Sequence, residues 1–214
     1  MKQRRAKTRN LRESCVLEAM SIIGETGIEE LSLRDVARRL GVSHQAPYKH
    51  FPSRDHLLAE IVSRAFAAFA QHLDARRRSQ NPHEDLAAMG RAYLDYAREH
   101  PLHYRLMFGT PLPDPHQHPE MMRSAQHAFS LLRDCLTQMF ADAGHASAKN
   151  AVELDALFVW STMHGLATIL QTSAIQTLAL PSAVLAATTS HTLQRIGIAL
   201  STEGDLTLTK ERAL

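Results

Sequence analysis

Cysteine is scarce in this chain of 214 residues, which contains only Cys15 and Cys135. Two cysteines this far apart, outside any C-x-x-C pattern, exclude a disulfide framework and a cysteine-rich zinc site. No apolar run approaches the roughly 18 residues of a membrane-spanning helix. The basic start, residues 1–12, also lacks the apolar core of a secretory signal. We therefore expect a soluble protein of the cytoplasm that does not enter a membrane.

Motifs of the common enzyme classes are also missing. The sequence has no G-x-S-x-G, G-x-x-x-x-G-K-[ST], G-x-G-x-x-G or H-E-x-x-H. We therefore expect no enzymatic activity, no cofactor and no metal. Two alternatives stay open. One is a weak candidate metal site in the proline-rich loop, at His116 and His118. The other is a redox sensor at Cys135, whose helical spacing instead predicts a buried and inert thiol.

Basic residues are concentrated at one end of the chain. Residues 1–56 contain 11 Lys and Arg against 7 Asp and Glu, a charge of +4, whereas residues 57–214 contain 13 against 15, a charge of −2. Six basic side chains and no acidic one fall within the first twelve residues. A basic segment on a mildly acidic body indicates contact with a polyanion, although a solvated tail would have the same composition.

Apolar residues recur with helical periodicity, and no two-residue alternation bounded by hairpin turns is present. The pattern predicts an all-α protein of about nine helices. Proline, glycine and capping residues place the ends of these helices. The predicted helices cover about residues 10–25, 33–40, 44–50, 54–78, 82–99, 102–108, 120–143, 148–178 and 182–200.

The segment SLRDVARRLGVSHQAPYKHF, residues 32–51, has the pattern of two short helices joined by a three-residue turn. Ser32 and Asp35 have the spacing of a helix N-terminal cap, and Gly41 supplies the positive φ of the turn. The second helix would expose four polar side chains, His44, Gln45, Tyr48 and Lys49. Histidine and glutamine suit base edges, whereas tyrosine and lysine suit phosphate oxygens. The alternative is a helical hairpin in an ordinary bundle, and Pro47 is unusual inside a helix.

Residues 11–61 resemble the N-terminal domain of TetR-type transcriptional regulators. They contain the pattern S-x-x-x-V-A-x-x-x-G-V-S and a Y-x-H-F sequence before a charged pair and Leu-Leu. Residues 160–165, W-S-T-M-H-G, are similar to the W-x-x-x-H-G signature of one C-terminal subfamily. The resemblance implies a homodimeric repressor that binds a palindromic operator in double-stranded DNA and is released by a small molecule. Pro47 departs mildly from the pattern, because many relatives have an aliphatic residue there.

The resemblance also implies roles for individual residues. His44 and Gln45 would read base edges, and His50 would either contact the DNA backbone or pack in the domain. The residues placed against the DNA backbone are Arg9, Ser32, Arg34, Ser43, Tyr48, Lys49 and His50.

The resemblance divides the chain into a helix-turn-helix domain with a basic arm at 1–56, a helical regulatory and dimerisation domain at 57–200, and a polar tail at 201–214. The last two predicted helices would pair with those of a second subunit. An effector pocket between the fifth and eighth predicted helices would be lined by Tyr93, Tyr96, His100, Tyr104, Met107, Phe108, Phe129, Trp160, Met163 and His164. Their character indicates a small apolar or aromatic effector, although any single one of them is more often an ordinary core residue than a ligand contact.

A different class of function remains open beside this one. The chain would then be a helical ligand-binding or metal-dependent protein whose helix-turn-helix no longer binds DNA.

Overall fold

The computed structural model describes residues 2–75, 79, 81–142 and 151–201, and only the backbone at 2–10, 174 and 176. Within these ranges the chain is helical and has no strand, which confirms the predicted all-α fold. None of the helices in these ranges is long and apolar enough to cross a bilayer. The elements are α1 (Lys2–Thr26), α2 (Leu33–Arg39), a 3-10 turn (Pro47–Lys49), α3 (Arg54–Asp74), α4 (Pro82–Glu99), α5 (Pro101–Phe108), α6 (Pro119–Asp142), α7 (Ala151–Gln171), α8 (Ala174–Thr177) and α9 (Ser182–Ser201).

The first helix is longer than predicted, because α1 begins at Lys2 rather than near Asn10. The eight residues before Asn10 contain neither glycine nor proline, and lysine, arginine, glutamine and alanine are strong helix formers. The predicted basic arm therefore continues the helix that follows it.

The second helix of the predicted motif is not an α-helix. Residues 44–46 form turns and Pro47–Lys49 forms a single 3-10 turn. Pro47 has no N–H to donate to the Ser43 carbonyl, which instead accepts from the Ala46 N–H at 2.9 Å. The prediction of an α-helix over 44–50 is therefore wrong, and proline is the reason.

The long helix predicted over 148–178 is also interrupted. α7 ends at Gln171, and α8 is a separate turn of four residues. The hydroxyl of Thr172 donates to the carbonyl of Ile169 at 2.8 Å, a local bond that competes with helix continuation. Residues 148–150, residues 76–78 of the predicted fourth helix, and the predicted tail beyond Ser201 lie outside the described residues.

The chain folds as two compact units, and the first comprises Met1–Gln71 and Glu99–Phe129. Its core is lined by large apolar side chains from several elements. The fully buried ones include Ile23, Val36, Phe51, Leu57, Leu106 and Met121. Phe108 packs edge-on against Phe66, with ring centres 5.7 Å apart, so that α5 is anchored to α3 within this unit.

The second unit comprises His72–Arg98 and Ser130–Leu214. In its described residues α4, α7 and α9 approach closely at Gly90, where an added Cβ would lie 2.5 Å from the Leu193 side chain. Glycine is therefore the residue that lets Leu193 pack directly on α4. Other buried residues of this core are Met89, Tyr96, Leu136, Met163 and Ile196.

Candidate nucleic-acid interface

The start of α2 is fixed by a reciprocal cap. The Ser32 hydroxyl accepts from the Asp35 N–H at 3.1 Å and donates to the Asp35 carboxylate at 2.7 Å. This bond, followed by those from Arg38, lowers the pKa of Asp35. The sequence predicted this cap from the spacing of the two residues. Because its hydroxyl is already engaged, Ser32 would have to give up part of the cap to bind phosphate.

The turn after α2 depends on Gly41. Its φ of +65° lies in the left-handed region, which glycine adopts without steric cost. The Val42 N–H then bonds to the Ala37 carbonyl at 3.0 Å, and this closes the C-terminus of the helix. The chain is thereby turned towards the polar segment that follows.

The structure brings the four polar residues predicted for the second helix of the motif together on one exposed segment. His44, Gln45, Tyr48 and Lys49 are all exposed, and Tyr48 retains 46% of its surface. Pro47 is buried beneath them. The 3-10 turn therefore rests on its proline and presents polar side chains outwards. This is the arrangement that contact with a nucleic-acid groove requires.

The residues predicted to contact the DNA backbone are placed differently from one another. Arg34 is exposed on α2 and has no hydrogen bond or ion pair to the described residues, so its guanidinium is available. Ser43 is exposed at the end of the turn, whereas His50 is half-buried, which favours the packing alternative for its ring. Arg9 lies in α1, and its side chain is outside the described residues.

Arg54, at the start of α3, holds the motif in place. Its guanidinium donates to the backbone carbonyls of Leu31 at 3.0 Å and Ile28 at 2.6 Å. These carbonyls belong to the connection between α1 and α2, so one side chain satisfies groups that no helix pairs. This role could not be predicted from the sequence, because an arginine in the first turn of a helix does not indicate a partner 23 residues away.

Four charged residues connect α1 to α3. Both Arg12 nitrogens donate to the Glu60 carboxylate, at 2.9 and 2.8 Å, and Arg64 donates to Glu60 at 2.7 Å and also to Glu13. Arg12 also lies over the Phe51 ring, 5.2 Å from its centre. The bond from Arg12 is the main reason that the pKa of Glu60 is lowered. Only the Glu60–Arg64 spacing was visible in the sequence.

The residues predicted to line an effector pocket are divided between the two units. The second unit contains a hydrogen-bonded pair, the Tyr93 hydroxyl and Nδ1 of His164, 3.2 Å apart. Tyr96 packs edge-on against His72, and burial raises its pKa to about 12. The five predicted residues in this unit are Tyr93, Tyr96, Trp160, Met163 and His164.

The other five predicted pocket residues belong to the first unit. His100 is exposed and stacks on His103, with ring centres 5.7 Å apart. Tyr104 packs edge-on against Phe108 at 5.1 Å. The five are His100, Tyr104, Met107, Phe108 and Phe129. Tyr104 and Met107 are buried, as core residues of α5 would be.

The candidate metal and redox residues have these surroundings. His118 is nearly buried and packs edge-on against His56, with ring centres 4.9 Å apart, whereas His116 is exposed. Nowhere in the described residues do three or more histidine, cysteine, aspartate or glutamate side chains form a metal-binding group. Cys135 is half-buried on α6, which corrects the prediction of full burial, since this helix turns that position partly outwards.

Comparison with known proteins supports the interpretation of this surface. Residues 17–61 match the family of bacterial regulatory proteins called tetR, and residues 86–193 match the tetracyclin repressor-like C-terminal domain. The chain is therefore a DNA-binding transcriptional regulator with a helix-turn-helix, and not an enzyme. It belongs to the TetR family.

Individual relatives agree with the family assignment. The chain is similar to the HTH-type transcriptional regulator Rv1816 of Mycobacterium tuberculosis, 33% identical over 44% of this chain and 42% of the relative. The match thus spans less than half of that protein. The regulator TcmR of Streptomyces glaucescens is 25% identical over 71% of this chain and 66% of its own length. Among solved structures, the regulatory protein SCO4313 has a TM-score of 0.72 and 25% identity, over 90% of this chain and 97% of that one.

Proposed function

We propose that this regulator is a homodimeric repressor that binds a palindromic operator in the cytoplasm and is released by a small apolar or aromatic effector. The observation that carries the proposal is the exposed segment of His44, Gln45, Tyr48 and Lys49, which rests on a buried proline. A rigid, polar, convex segment of this kind is suited to the major groove.

Within this proposal the polar residues have two kinds of contact. His44 and Gln45 donate to or accept from base edges, and so carry the sequence preference. Lys49, Tyr48, Ser43 and the unpaired Arg34 contact phosphates and set the register of the protein on the duplex. The further backbone contacts are proposed for Arg9, Ser32 and His50, and the His50 ring is half-buried.

An exposed apolar face supports dimer formation. On α7, the side chains of Leu154, Leu157, Phe158 and Ile169 retain between 42% and 54% of their surface. They recur at helical spacing, together with Gly165, where an added Cβ would meet no atom within 4 Å. Val184 and Ile198 are similarly exposed on α9. Apolar faces of this extent on regular helices are typical of protein–protein interfaces, and we propose that a second copy covers this one.

The effector would bind against the regulatory helices of the second unit, at the five predicted pocket residues that belong to that unit. The Tyr93–His164 pair offers a polar group among apolar side chains, which suits the orientation of a ligand. We call residues 44–49 of each subunit its reading segment. Release requires that the effector prefer a state in which the reading segments of the two subunits no longer match successive major grooves, about 34–36 Å apart. DNA must then weaken effector binding to the same extent.

Selection from a randomised DNA pool tests the central claim. The full chain is incubated with random duplexes at physiological salt, and the bound fraction is sequenced over several rounds. Enrichment of a palindrome with half-sites about one helical turn apart is the expected result. A folded protein that enriches no sequence would contradict operator binding, and an asymmetric single site would contradict the dimer.

Two variants then separate base reading from backbone contact. Gln45→Ala should cost about 1–3 kcal/mol at one or two base pairs of each half-site, because a base contact carries that discrimination. Lys49→Ala should weaken all duplexes alike and reduce the salt slope by about one. Arg133→Ala, an exposed arginine on α6, is the control that should change neither.

The dimer is tested by its mass in solution. Phe158→Glu places a charge in the centre of the exposed α7 face and should shift the protein from dimer to monomer in sedimentation velocity. Leu17→Glu is the matched control, since Leu17 is 63% exposed on α1 and belongs to the other unit. A wild-type chain that sediments as a monomer at micromolar concentration would contradict the proposed dimer.

A further inference from the structure

A cleft opens in the second unit between α4, α7 and α9. Its volume is about 310 Å³, at the lower end of the range of small-molecule sites. None of the residues predicted for the effector pocket lines it. Arg91 and Leu94 belong to α4, Ala167 and Leu170 to α7, and Thr189 to α9. Three helices thus line one concave surface. Side chains on helices are held in place more precisely than side chains on a loop.

The charged residues that line the cleft are two arginines and one aspartate, so the lining has a net charge of +1. Asp95 and Arg98 both line it, and they neutralise each other through an ion pair of 2.8 Å. Arg91, the third charged residue of the lining, has no hydrogen bond or ion pair to any residue that the structure describes. An arginine without a partner beside a concave surface offers a planar donor pair to an anion, and carboxylates match its geometry.

The rest of the lining is apolar or neutral. Leu94, Ala167 and Leu170 supply hydrocarbon surface, and Leu170 keeps 38% of its area exposed, so a ligand would cover it. Gln171 and Thr189 add neutral polar groups near the edge. A ligand that satisfies both parts has one carboxylate for Arg91 and a short apolar group for the leucines.

The cleft is also separate from the proposed dimer face. At about 100° per residue, Ala167 and Leu170 point to the side of α7 opposite to Leu154 and Gly165. Ala167 is accordingly buried, whereas Leu154 is exposed. The part of the cleft that α7 lines therefore points away from the centre of the proposed dimer face.

We propose that this cleft binds a small amphipathic carboxylate, with Arg91 holding the carboxylate and Leu94 and Leu170 covering the apolar part. The site is distinct from the aromatic pocket proposed above, and its occupation does not depend on operator binding.

The experiment titrates the full-length wild-type protein, without DNA, with sodium hexanoate and with 1-hexanol, its uncharged analogue. Binding is followed by saturation-transfer difference NMR at constant ionic strength. Hexanoate should bind more tightly than hexanol. Arg91→Gln should raise the Kd of hexanoate about three- to tenfold and leave that of hexanol unchanged, because only the charge-assisted bond is lost. Arg133→Gln, an exposed arginine elsewhere in the same unit, should leave both constants unchanged.

A second variant tests the apolar wall. Leu170→Ser should weaken hexanoate and hexanol to the same extent, since it removes hydrocarbon surface but no charge. Circular dichroism and thermal melting establish that each variant is folded. Failure of hexanoate to bind the wild type, equal affinity for hexanoate and hexanol, or an unchanged Kd in a folded Arg91→Gln variant would each overturn the proposal. Because no DNA is present, such a result is distinguishable from failure of operator binding.

Discussion

The Tyr93 hydroxyl lies 3.2 Å from Nδ1 of His164, a hydrogen bond that joins α4 to α7 inside the second unit. Tyr93 is buried and His164 half-buried, so the pair is largely withdrawn from water. Burial lowers the pKa of His164 below its ordinary value of 6.5, because the charged ring loses hydration. With the proton on Nε2, the neutral imidazole accepts the phenolic hydrogen at Nδ1.

This lowered pKa predicts that the protein becomes less stable in mild acid. As the pH falls through 6.5, His164 becomes protonated in the unfolded chain but stays neutral in the folded chain. The free energy of unfolding therefore decreases until the pH reaches the lowered pKa of His164 in the folded chain. His103, whose pKa is lowered by burial and by nearby His100, acts in the same direction. The melting temperature should therefore decrease as the pH is lowered from 8 to 5.

The variant His164→Asn removes this titration while keeping a polar group near Tyr93. Its melting temperature should depend less steeply on pH than that of the wild type in the same buffers. His83→Asn, at an exposed position of α4, is the matched control and should keep the wild-type slope. Equal slopes for all three proteins would contradict the assignment to His164.

Two arginines near the reading segment should contribute very differently to stability, as their glutamine variants would show. Arg54→Gln loses the bonds to the Leu31 and Ile28 carbonyls and should lower the free energy of unfolding by about 1–3 kcal/mol. Arg34→Gln removes an exposed, unpaired charge and should change stability by less than about 0.5 kcal/mol. Urea unfolding measures both.

The Arg34→Gln variant should also show an effect on DNA binding that does not depend on stability. Arg34→Gln should weaken binding to any duplex and reduce its salt dependence, because the proposed phosphate contact would be lost. If Arg34→Gln unfolds more easily than Arg54→Gln, the assignment of scaffold and contact residues is reversed.

The turn at Gly41 provides a test of backbone geometry. Gly41→Ala should destabilise the protein by about 1–2 kcal/mol, since a Cβ is unfavourable in the left-handed region. No atom lies within 4 Å of the added carbon, so the cost is conformational rather than a clash. Gly41→Asn should cost less, because asparagine tolerates this region better. Equal unfolding midpoints for the two variants in urea would point to another cause.

The charged connection between α1 and α3 should matter more than an exposed ion pair. Glu60→Gln leaves Arg12 and Arg64 without their shared carboxylate and should cost about 1–2 kcal/mol, since the Glu60 side chain is only 25% exposed. Glu120→Gln breaks an exposed pair with Arg123 and should cost less than about 0.5 kcal/mol. The difference between the two should shrink in 1 M salt, which urea unfolding at two salt concentrations measures.

Local signals in the sequence predicted much of this architecture. Ser53 directly precedes α3, and its hydroxyl accepts from the His56 N–H at 3.4 Å, the bond that a capping serine makes three residues into a helix. Gly41 was expected at the positive φ, where it is found. In both cases the chemistry is contained within a few consecutive residues, so the spacing alone is sufficient.

Contacts between residues far apart in the chain could not be predicted from the sequence. Arg12 and Glu60 are 48 positions apart, and nothing near either residue indicates the other. Pro47 shows a different limit, because proline is tolerated in the first turn of an α-helix and the sequence alone does not show that this position already needs an N–H, so that a 3-10 turn forms where an α-helix is predicted. The division of the aromatic residues between two units likewise depends on tertiary packing that periodicity does not encode.

The shortness of the reading segment limits how much sequence information one subunit can extract. With His44 and Gln45 at base edges, each contacting one or two base pairs as proposed, it would distinguish at most about four base pairs, which recur by chance about 4,000 times in a genome of about one million base pairs. Two such half-sites at fixed spacing recur only about 15 times. With a segment this short, the target is rare only when two copies bind together, and this shortness is a further argument for the proposed dimer.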